Sequence, residues 1–481
     1  MKYITLFETS TAYNVATLDL PNVSLTVDNN TVHYNPVPPH DYSQDYFTMV
    51  VTSGGDITWT GSTTSNTLSY SKDNGENWST VTSTNTISVA TGDKVLWKGI
   101  PTPKSSYPYG IGNFSGATDV RYSVEGNALS LLFGDNFKGQ TSLEGKGHAF
   151  EGLFSGNTNI TSVENMSLPA TTLADYCYNG MFKDCTNLAT TPELPATTLA
   201  DACYAGMFKD CTNLTTVPSD LLPATTLTNW CYSSMFWGCA SLTTVPSDLL
   251  PATTLANNCY NNMFNGCTSL TTAPELPATT LTNNCYEGMF KDCTSLITIH
   301  ELHATVLTQY CYSSMFQGCT SLTTAPELPA TTLANYCYQY MFNGCTSLTT
   351  APVLSATTLA GYCYRQMFYG CTNLMTAPSV LPATTLMFSC YESMFRDCTS
   401  LTTAPELPAT TLANYCYQNM FHGCTSLNSI KCLATNLGGQ DNTLGWVSDV
   451  AASGTFVKNA SMTSWTSGSD GIPNGWTVVD V

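Results

Sequence analysis

Cysteine is the residue type most able to do chemistry in this chain, because 21 thiols occur among 481 residues. Twenty of them form ten pairs with a spacing of eight residues, as in Cys285 and Cys293, and Cys432 is left over after the last pair. Thiols could bind zinc, but no C-x-x-C motif or paired Cys/His spacing occurs. On a helix, residues eight apart lie about 12 Å apart, beyond the roughly 7 Å between Cα atoms that a disulfide allows. We therefore predict small, buried, reduced thiols, while disulfides between neighbouring pairs stay open as an alternative.

The sequence has no motif that would supply a nucleophile, a metal-bound water or a phosphate-binding loop. H-E-x-x-H, G-x-S-x-G, G-x-G-x-x-G and the P-loop are absent, and no two carboxylates stand out as an acid–base pair. The six histidines are scattered, and the pair His300 and His303 is a weak zinc candidate. We predict no catalytic residues, no cofactor, no metal site and no enzymatic activity.

A carboxylate recurs at one equivalent position of a pattern that is repeated along the chain. These carboxylates are Glu193, Asp220, Asp248, Glu275, Glu301, Glu327 and Glu406, and Val353 and Val380 replace them twice. If these positions stack, the carboxylates form an acidic column that could bind hydroxyl-rich glycans or cations. The alternative is a solvated face that keeps the protein soluble.

Aromatic residues form a second variable set that could bind a ligand. Their members are Tyr176, Trp230, Tyr310, Tyr336, Tyr362 and Tyr415, together with Trp237, Tyr340 and Tyr369. Exposed rings could stack on sugar faces or contact a partner protein. The alternative is that they pack between adjacent elements of the fold. We name Trp230, Trp237, Tyr340 and Tyr369, with the seven carboxylates, as candidate ligand-binding residues.

These residues are positioned by a repeat, of which residues 276–301 (LPATTLTNNCYEGMFKDCTSLITIHE) are one copy. Close copies run from Leu168 to Leu427, and their first cysteines are 26 residues apart, except for two steps of 28 and one of 27. Self-similarity at such a period is typical of a solenoid, in which each repeat buries its apolar side against its neighbours.

Each repeat is predicted to contain one short helix and two short strands. Cys285, Met289 and Cys293 follow the i, i+4, i+8 spacing of a helical face, and Asn283 lies where an N-cap is expected. The A-T-T-L and L-T-T-x segments are rich in β-branched threonine and favour strands. Strands stack at about 4.8 Å and helices at 8–10 Å, so we expect strands inside a curved solenoid and helices outside.

The repeat resembles the leucine-rich repeats of BspA-like proteins, which occur on gut bacterial surfaces and in phages and prophages. The resemblance rests on M-F-x-x-C-T-x-L at Met263–Leu270 and on the following Leu276-Pro277. It covers roughly residues 123–481, since Gly471–Val478 (GIPNGWTV) is similar to the closing segment of that family. It implies an α+β solenoid of the leucine-rich-repeat type but no specific function, because repeat scaffolds bind many partners.

Four regions are predicted along the chain. Residues 1–40 form an N-terminal attachment arm and linker, and residues 41–121 form a small all-β, sandwich-like domain with one Asp-box hairpin at Ser71–Trp78 (S-x-D-x-G-x-x-W). Residues 122–430 form the solenoid, with 122–167 as a degenerate N-terminal cap. Residues 431–481 form a C-terminal β cap.

Charge and hydropathy limit the classes of partner. A net charge of −19 disfavours nucleic-acid binding, and no apolar run approaches the roughly 20 residues of a membrane span. The first ten residues lack the apolar region of a secretory signal, which favours a virion protein that assembles in the cytoplasm.

These observations lead to a non-enzymatic recognition protein, tail-associated in a phage or prophage, that binds a host-surface glycan or protein. Other virion proteins or a second copy of the chain are further partners. The alternatives are a bacterial cell-surface adhesin and a purely structural virion component.

Overall fold

The computed structural model describes residues 23–28, 31–36, 40–61, 67–82, 85–99, 110–116 and 119–481. Two compact units are present, Met1–Tyr42 and Ser43–Val481. In the first unit, β1 (Val23–Asp28) pairs antiparallel with β2 (Thr31–Pro36). The remainder of the predicted attachment arm and linker, residues 1–22 and 37–39, lies outside the described residues.

The first part of the second unit consists of two β-sheets. Their strands are β3 (Phe47–Ser53), β4 (Gly55–Gly61), β5 (Thr67–Ser71), β6 (Ser79–Thr82), β7 (Asn85–Val89), β8 (Lys94–Gly99), β9 (Gly112–Gly116), β10 (Arg121–Asn127) and β11 (Ile160–Ser167). One sheet has the order β11-β10-β3-β8-β5-β6 and the other β7-β4-β9. The alternating apolar and polar residues of β3, β4, β5, β7 and β8 predict these strands from the sequence, and the structure confirms them.

Aromatic side chains from both sheets fill the space between them. The ring of Phe114 on β9 lies 4.9 Å from that of Trp97 on β8 and 5.9 Å from that of Phe47 on β3, and all three residues are fully buried. The six-stranded sheet also includes β11, which pairs in parallel with β10. This sheet therefore crosses the boundary that is predicted after residue 121. The division of the chain into four regions stays a prediction.

The described residues contain one α-helix, α1 (Ser130–Phe133), which follows β10. Its four residues fall far short of a helix that could cross a membrane.

The turn between β5 and β6 has the geometry that its Asp-box pattern predicts. The carboxylate of Asp73 accepts hydrogen bonds from the Ser71 hydroxyl at 2.7 Å and from the backbone N–H of Asn77 at 2.9 Å. Gly75 has a φ of 89°, and the indole N–H of Trp78 donates to its carbonyl at 3.1 Å. The bonds from Ser71 and Asn77 lower the pKa of Asp73 to about 2. The turn is thus stabilised by its own side chains.

Residues 168–427 contain no α-helix, so the predicted helix in each repeat is wrong. The segment that carries both cysteines is instead a series of tight turns in which every fourth residue is left-handed. Asn284, Gly288 and Asp292 have φ values of 58°, 59° and 58°, which a right-handed helix cannot contain. The turns also repeat every four residues, so they bury Cys285 and Cys293 on one side, as a helix would.

The backbone N–H groups of this turn segment alternate between two kinds of partner. The N–H of Met289 donates to Tyr286 in its own repeat at 3.3 Å, and the N–H of the next residue, Phe290, donates to Met315 in the following repeat at 2.9 Å. An α-helix would satisfy these groups internally and would leave no N–H for a neighbour. The alternation therefore joins the repeats by backbone hydrogen bonds.

Asn283, which the sequence places at a helix N-cap, also joins repeats. Its side-chain oxygen accepts the N–H of Gln309 at 3.2 Å, and its own N–H donates to the side-chain oxygen of Asn257 at 3.1 Å. Asp and Asn favour this position because the side chain must accept a hydrogen bond from the next repeat. Asn283 thus accepts a backbone N–H as an N-cap would, but that N–H belongs to the next repeat and not to a helix of its own repeat.

Buried columns of identical side chains run through the repeats. The ring of Phe290 lies 5.6 Å from that of Phe264 and 5.8 Å from that of Phe316. This spacing is far below the 8–10 Å of packed helices, so the predicted mismatch between inner strands and outer helices is absent. The thiol of Cys293 donates to the carbonyl of Phe264 at 3.1 Å.

The predicted strands of each repeat are present only as isolated parallel bridges. Thr332 of the A-T-T-L segment bridges Thr358, and Thr350 of the L-T-T segment bridges Thr376. The prolines between the two segments explain why the bridges do not extend into longer ladders.

Both ends of the stack are covered. Phe154 of the degenerate first repeat stacks on Phe182 at 5.6 Å, and Trp446 stacks on Tyr417 at 6.2 Å. At the same end, β12 (Ser429–Cys432), β13 (Thr455–Lys458) and β14 (Thr477–Asp480) form a parallel sheet. Covering residues of this kind protect the apolar columns from water.

Replacing Asp73 by Asn should destabilise the Asp-box turn in a pH-dependent way. The folded pKa of about 2 lies below the ordinary value, so the stabilisation is complete above about pH 4 and is lost as the pH falls towards 2. The difference in melting temperature between the natural protein and Asp73→Asn should therefore shrink as the pH falls from 4 to 2. Glu76→Gln, which alters another exposed carboxylate of this turn, is the control. A difference that is constant with pH would contradict the role assigned to Asp73.

The thiols should be inaccessible in the native protein. All 21 cysteines are free and buried, and burial raises the pKa of Cys285 and Cys371, for example, to about 12. Ellman's reagent should therefore label almost no thiol under native conditions and all 21 in guanidinium chloride. Dithiothreitol should leave the melting temperature unchanged, whereas a large decrease would indicate disulfides between repeats.

Candidate binding surfaces of the repeats

The residue before the first cysteine of each repeat is left-handed, and in most repeats it is at least partly exposed. We call this series the ring column. Its members are Tyr176, Ala202, Trp230, Asn258, Asn284, Tyr310, Tyr336, Tyr362, Ser389 and Tyr415, with φ between 49° and 62°. Asparagine tolerates this conformation, whereas a bulky side chain costs roughly 1–2 kcal/mol there. The aromatic residues in the ring column are thus locally unfavourable.

In the second half of the ring column, the rings stack on one another. Tyr336 lies between Tyr310 and Tyr362, with 4.6 Å between ring centroids on each side. Phe388 continues the series at 5.1 Å from Tyr362 and 5.2 Å from Tyr415, with its ring turned by 60° and 65°. Partial burial, followed by neighbouring tyrosines, raises the pKa of Tyr310 and Tyr362. Each ring therefore covers part of its neighbour.

In the first half of the ring column, the stack is interrupted. Tyr176 stacks on His148 at 4.8 Å and an interplanar angle of 2°, but the next member is Ala202 and the one after it is Trp230. Tyr176 and Trp230 are 40% and 46% exposed, whereas Ala202 is 3% exposed. Two accessible rings therefore flank a covered methyl group.

The other three candidate aromatics contact cations from adjacent repeats. The Lys209 ammonium lies 4.0 Å from the ring centroid of Trp237, and the Arg396 guanidinium lies 5.6 Å from that of Tyr369. Tyr340 lies 6.0 Å from the Arg365 guanidinium, which also donates to the Tyr340 hydroxyl at 3.3 Å. These half-buried rings pack between repeats, in agreement with the second alternative from the sequence.

Sequence reasoning missed Arg365 and Glu392 as part of this surface. The Arg365 guanidinium donates to the Glu392 carboxylate at 3.0 Å and lies 5.8 Å from the Tyr362 ring. Both residues occupy the same variable position of successive repeats. Comparing the residues at that position from one repeat to the next would have shown that these two opposite charges are neighbours.

Six of the seven predicted carboxylates lie exposed at the corner of their repeats: Glu193, Asp220, Asp248, Glu275, Glu301 and Glu327. No ion pair involves these six among the described residues. Glu406 differs, because it is half-buried and pairs with Lys431 at 3.0 Å. Val353 interrupts the acidic series with 64% exposure. Whether any of these residues binds a ligand stays a prediction.

The histidine pair has no metal-site geometry around it. His300 is half-buried, and no group of three or more His, Cys, Asp or Glu side chains that could hold a metal ion occurs in the part of the chain that the structure describes.

A family model described as "BspA type Leucine rich repeat region (6 copies)" matches residues 151–263, 232–375 and 364–439, more than half of the chain. The chain belongs to this BspA-type leucine-rich repeat family. BspA-like leucine-rich repeat proteins are surface and adhesion-type repeat proteins, and the leucine-rich repeat family is generally non-enzymatic.

One similar solved structure is the crystal structure of a leucine-rich repeat protein from Eubacterium ventriosum ATCC 27560. The two chains are 12% identical, the match covers 65% of this chain and 87% of that chain, and the TM-score is 0.29. No curated protein matches the sequence.

Removing one central carboxylate from the acidic corner should stabilise the protein at low salt. Glu301 lies between Glu275 and Glu327 in the order of the repeats, so Glu301→Gln should relieve repulsion worth a few tenths of a kcal/mol. The melting temperature should rise slightly in 10 mM salt, and the gain should disappear in 0.5 M salt because charges are screened. Glu406→Gln is the matched control, because it removes the pair with Lys431 and should not stabilise. A salt-independent change in Glu301→Gln would contradict the repulsion.

Proposed function

We propose that this chain is a non-enzymatic adhesion protein that binds a host cell surface through the turn segments of its repeats, as part of a phage or prophage tail. The observation that carries the proposal is the placement of Trp230, with 46% of its surface exposed, at a left-handed position. Two other repeats use Asn258 and Asn284 there, so the backbone does not require an aromatic residue.

Local energetics support a functional role for these rings. A bulky left-handed residue is retained only when something else compensates for its cost, and such residues cluster at functional sites. For Tyr336, stacking on its neighbours supplies that compensation, since an aromatic pair contributes about 0.5–1.5 kcal/mol. Trp230 has no stacking ring among the described residues and keeps 46% of its surface exposed, so a contact with a partner molecule would offset its cost.

The distribution of residue types between the core and the outward positions of a repeat also supports a role in recognition. Cysteines, Met and Phe fill the core in every copy, and the hydrogen-bonded backbone fixes the spacing of the copies. The outward positions of the turn segment carry Tyr, Trp, Arg, Lys and Glu in different repeats. A rigid scaffold with variable aromatic and charged positions is well suited to binding.

The buried free thiols support the virion setting over secretion. Assembly in a reducing cytoplasm keeps thiols reduced, and all 21 are free in this fold. A bacterial cell-surface adhesin is the alternative, and it uses the same binding surface.

The test is adsorption of a candidate phage to host cells in the presence of excess purified full-length protein. We expect saturable inhibition of adsorption and detection of the protein in purified virions by mass spectrometry. Heat-denatured protein at the same concentration is the control. Binding to cells without detection in virions would support the cell-surface alternative, and detection in virions without binding to cells would leave a structural virion component.

A further inference from the structure

We propose that Tyr176 and Trp230, together with the carboxylates of Asp175 and Asp201, form a binding site for a neutral sugar ring. We call these residues the Trp230 platform. The inference rests on the proposed adhesion function and identifies the chemical class of its ligand.

The position of the Trp230 platform is unusual within the ten repeats. The chain has eight tryptophans, and the two that lie in the repeats, Trp230 and Trp237, belong to the same copy. Tyr176 and Trp230 are also, with Phe388, the aromatic residues with the largest exposed fractions among the described residues. Two of the three most exposed rings therefore lie two repeats apart on the turn segments, at residues 176 and 230.

The exposed rings have the chemistry that a sugar ring requires. One face of a pyranose presents a row of C–H groups with partial positive charge, which the negative face of an aromatic ring attracts. The covered methyl of Ala202 separates the two rings, so neither stacks on the other. In the second half of the ring column, by contrast, Tyr336 lies between two rings at 4.6 Å and has both faces occupied.

Carboxylates next to the rings can accept hydrogen bonds from sugar hydroxyls. Asp175 precedes Tyr176, and one of its oxygens accepts the backbone N–H of Asp201 at 3.1 Å. Asp201 accepts the backbone N–H of Asn229 at 3.0 Å. These bonds tie each carboxylate to the backbone of the next repeat, and Asp175 is exposed to solvent. Two oriented carboxylates on an aromatic surface are a suitable arrangement of acceptors.

The charges around the Trp230 platform favour a neutral sugar over an acidic one. Asp175 and Asp201 would repel the carboxylate of a sialic or uronic acid. Of the nearby cations, Lys209 lies over the Trp237 ring and Lys183 lies 3.9 Å from Asp184. The four residues of the Trp230 platform themselves carry only negative charge.

The decisive variant is Trp230→Asn in the full-length protein, because asparagine occupies the same left-handed position in two other repeats. The fold should tolerate it, with a melting temperature equal to or above that of the natural protein. Tyr336→Asn is the matched control, because it makes the same replacement at an equivalent position where the ring is covered. The readouts are binding to an array of neutral, sialylated and uronic-acid-containing glycans, and binding to host cells before and after glycosidase treatment.

We expect the natural protein and Tyr336→Asn to bind neutral glycans, and Trp230→Asn to bind them about tenfold more weakly, as the loss of one stacked ring implies. Cell binding that persists undiminished in Trp230→Asn would overturn the site and leave the adhesion function intact. Cell binding that Trp230→Asn abolishes but glycosidases do not would overturn the sugar and indicate a protein ligand. Preference for sialylated glycans would overturn the charge argument, and absence of any cell binding would overturn both the site and the proposed function.

Discussion

The structure depends on the hydrogen bonds that every second N–H of the turn segment donates to the following repeat. These bonds set a spacing of 5.6–5.8 Å between Phe264, Phe290 and Phe316, which only flat, stacked turns can meet. The left-handed residue at every fourth position follows from the same constraint, because it turns alternate N–H groups outwards. The side-chain bonds of Asn283 to both neighbouring repeats, and the contact of the Cys293 thiol with a carbonyl of the preceding repeat, extend this connection to the flanks and the core.

Much of this fold is predictable from one sequence because the repeat is so regular. The period gives the stacked architecture and the buried cysteines. The alternation around Phe47 and Trp97 gives the strands β3 and β8. The Asp-box residues Asp73, Gly75 and Trp78 give the local turn, because all of its bonds lie within eight residues.

The helix is where prediction from sequence fails, and the reason is physical. Cys285, Met289 and Cys293 have a four-residue spacing that suits both an α-helix and a series of four-residue turns. The difference lies in the partner of each N–H group, and the repeat length that brings Met315 to Phe290 is not visible in the spacing of apolar residues. The same limit applies to the binding surface: the sequence identifies Trp230 as variable, but it cannot tell that Trp237 is paired with Lys209 while Trp230 is exposed.

Because each repeat contacts only its neighbours, gain or loss of a whole copy by genetic recombination would leave the backbone connections intact. Such an event would nevertheless change which side chains become adjacent. Loss of the copy that contains Ala202 would bring Tyr176 and Trp230 to successive positions, where their rings would stack as Tyr336 and Tyr362 do. A surface with accessible ring faces could thus become one whose rings cover each other in a single step, without a substitution at either ring.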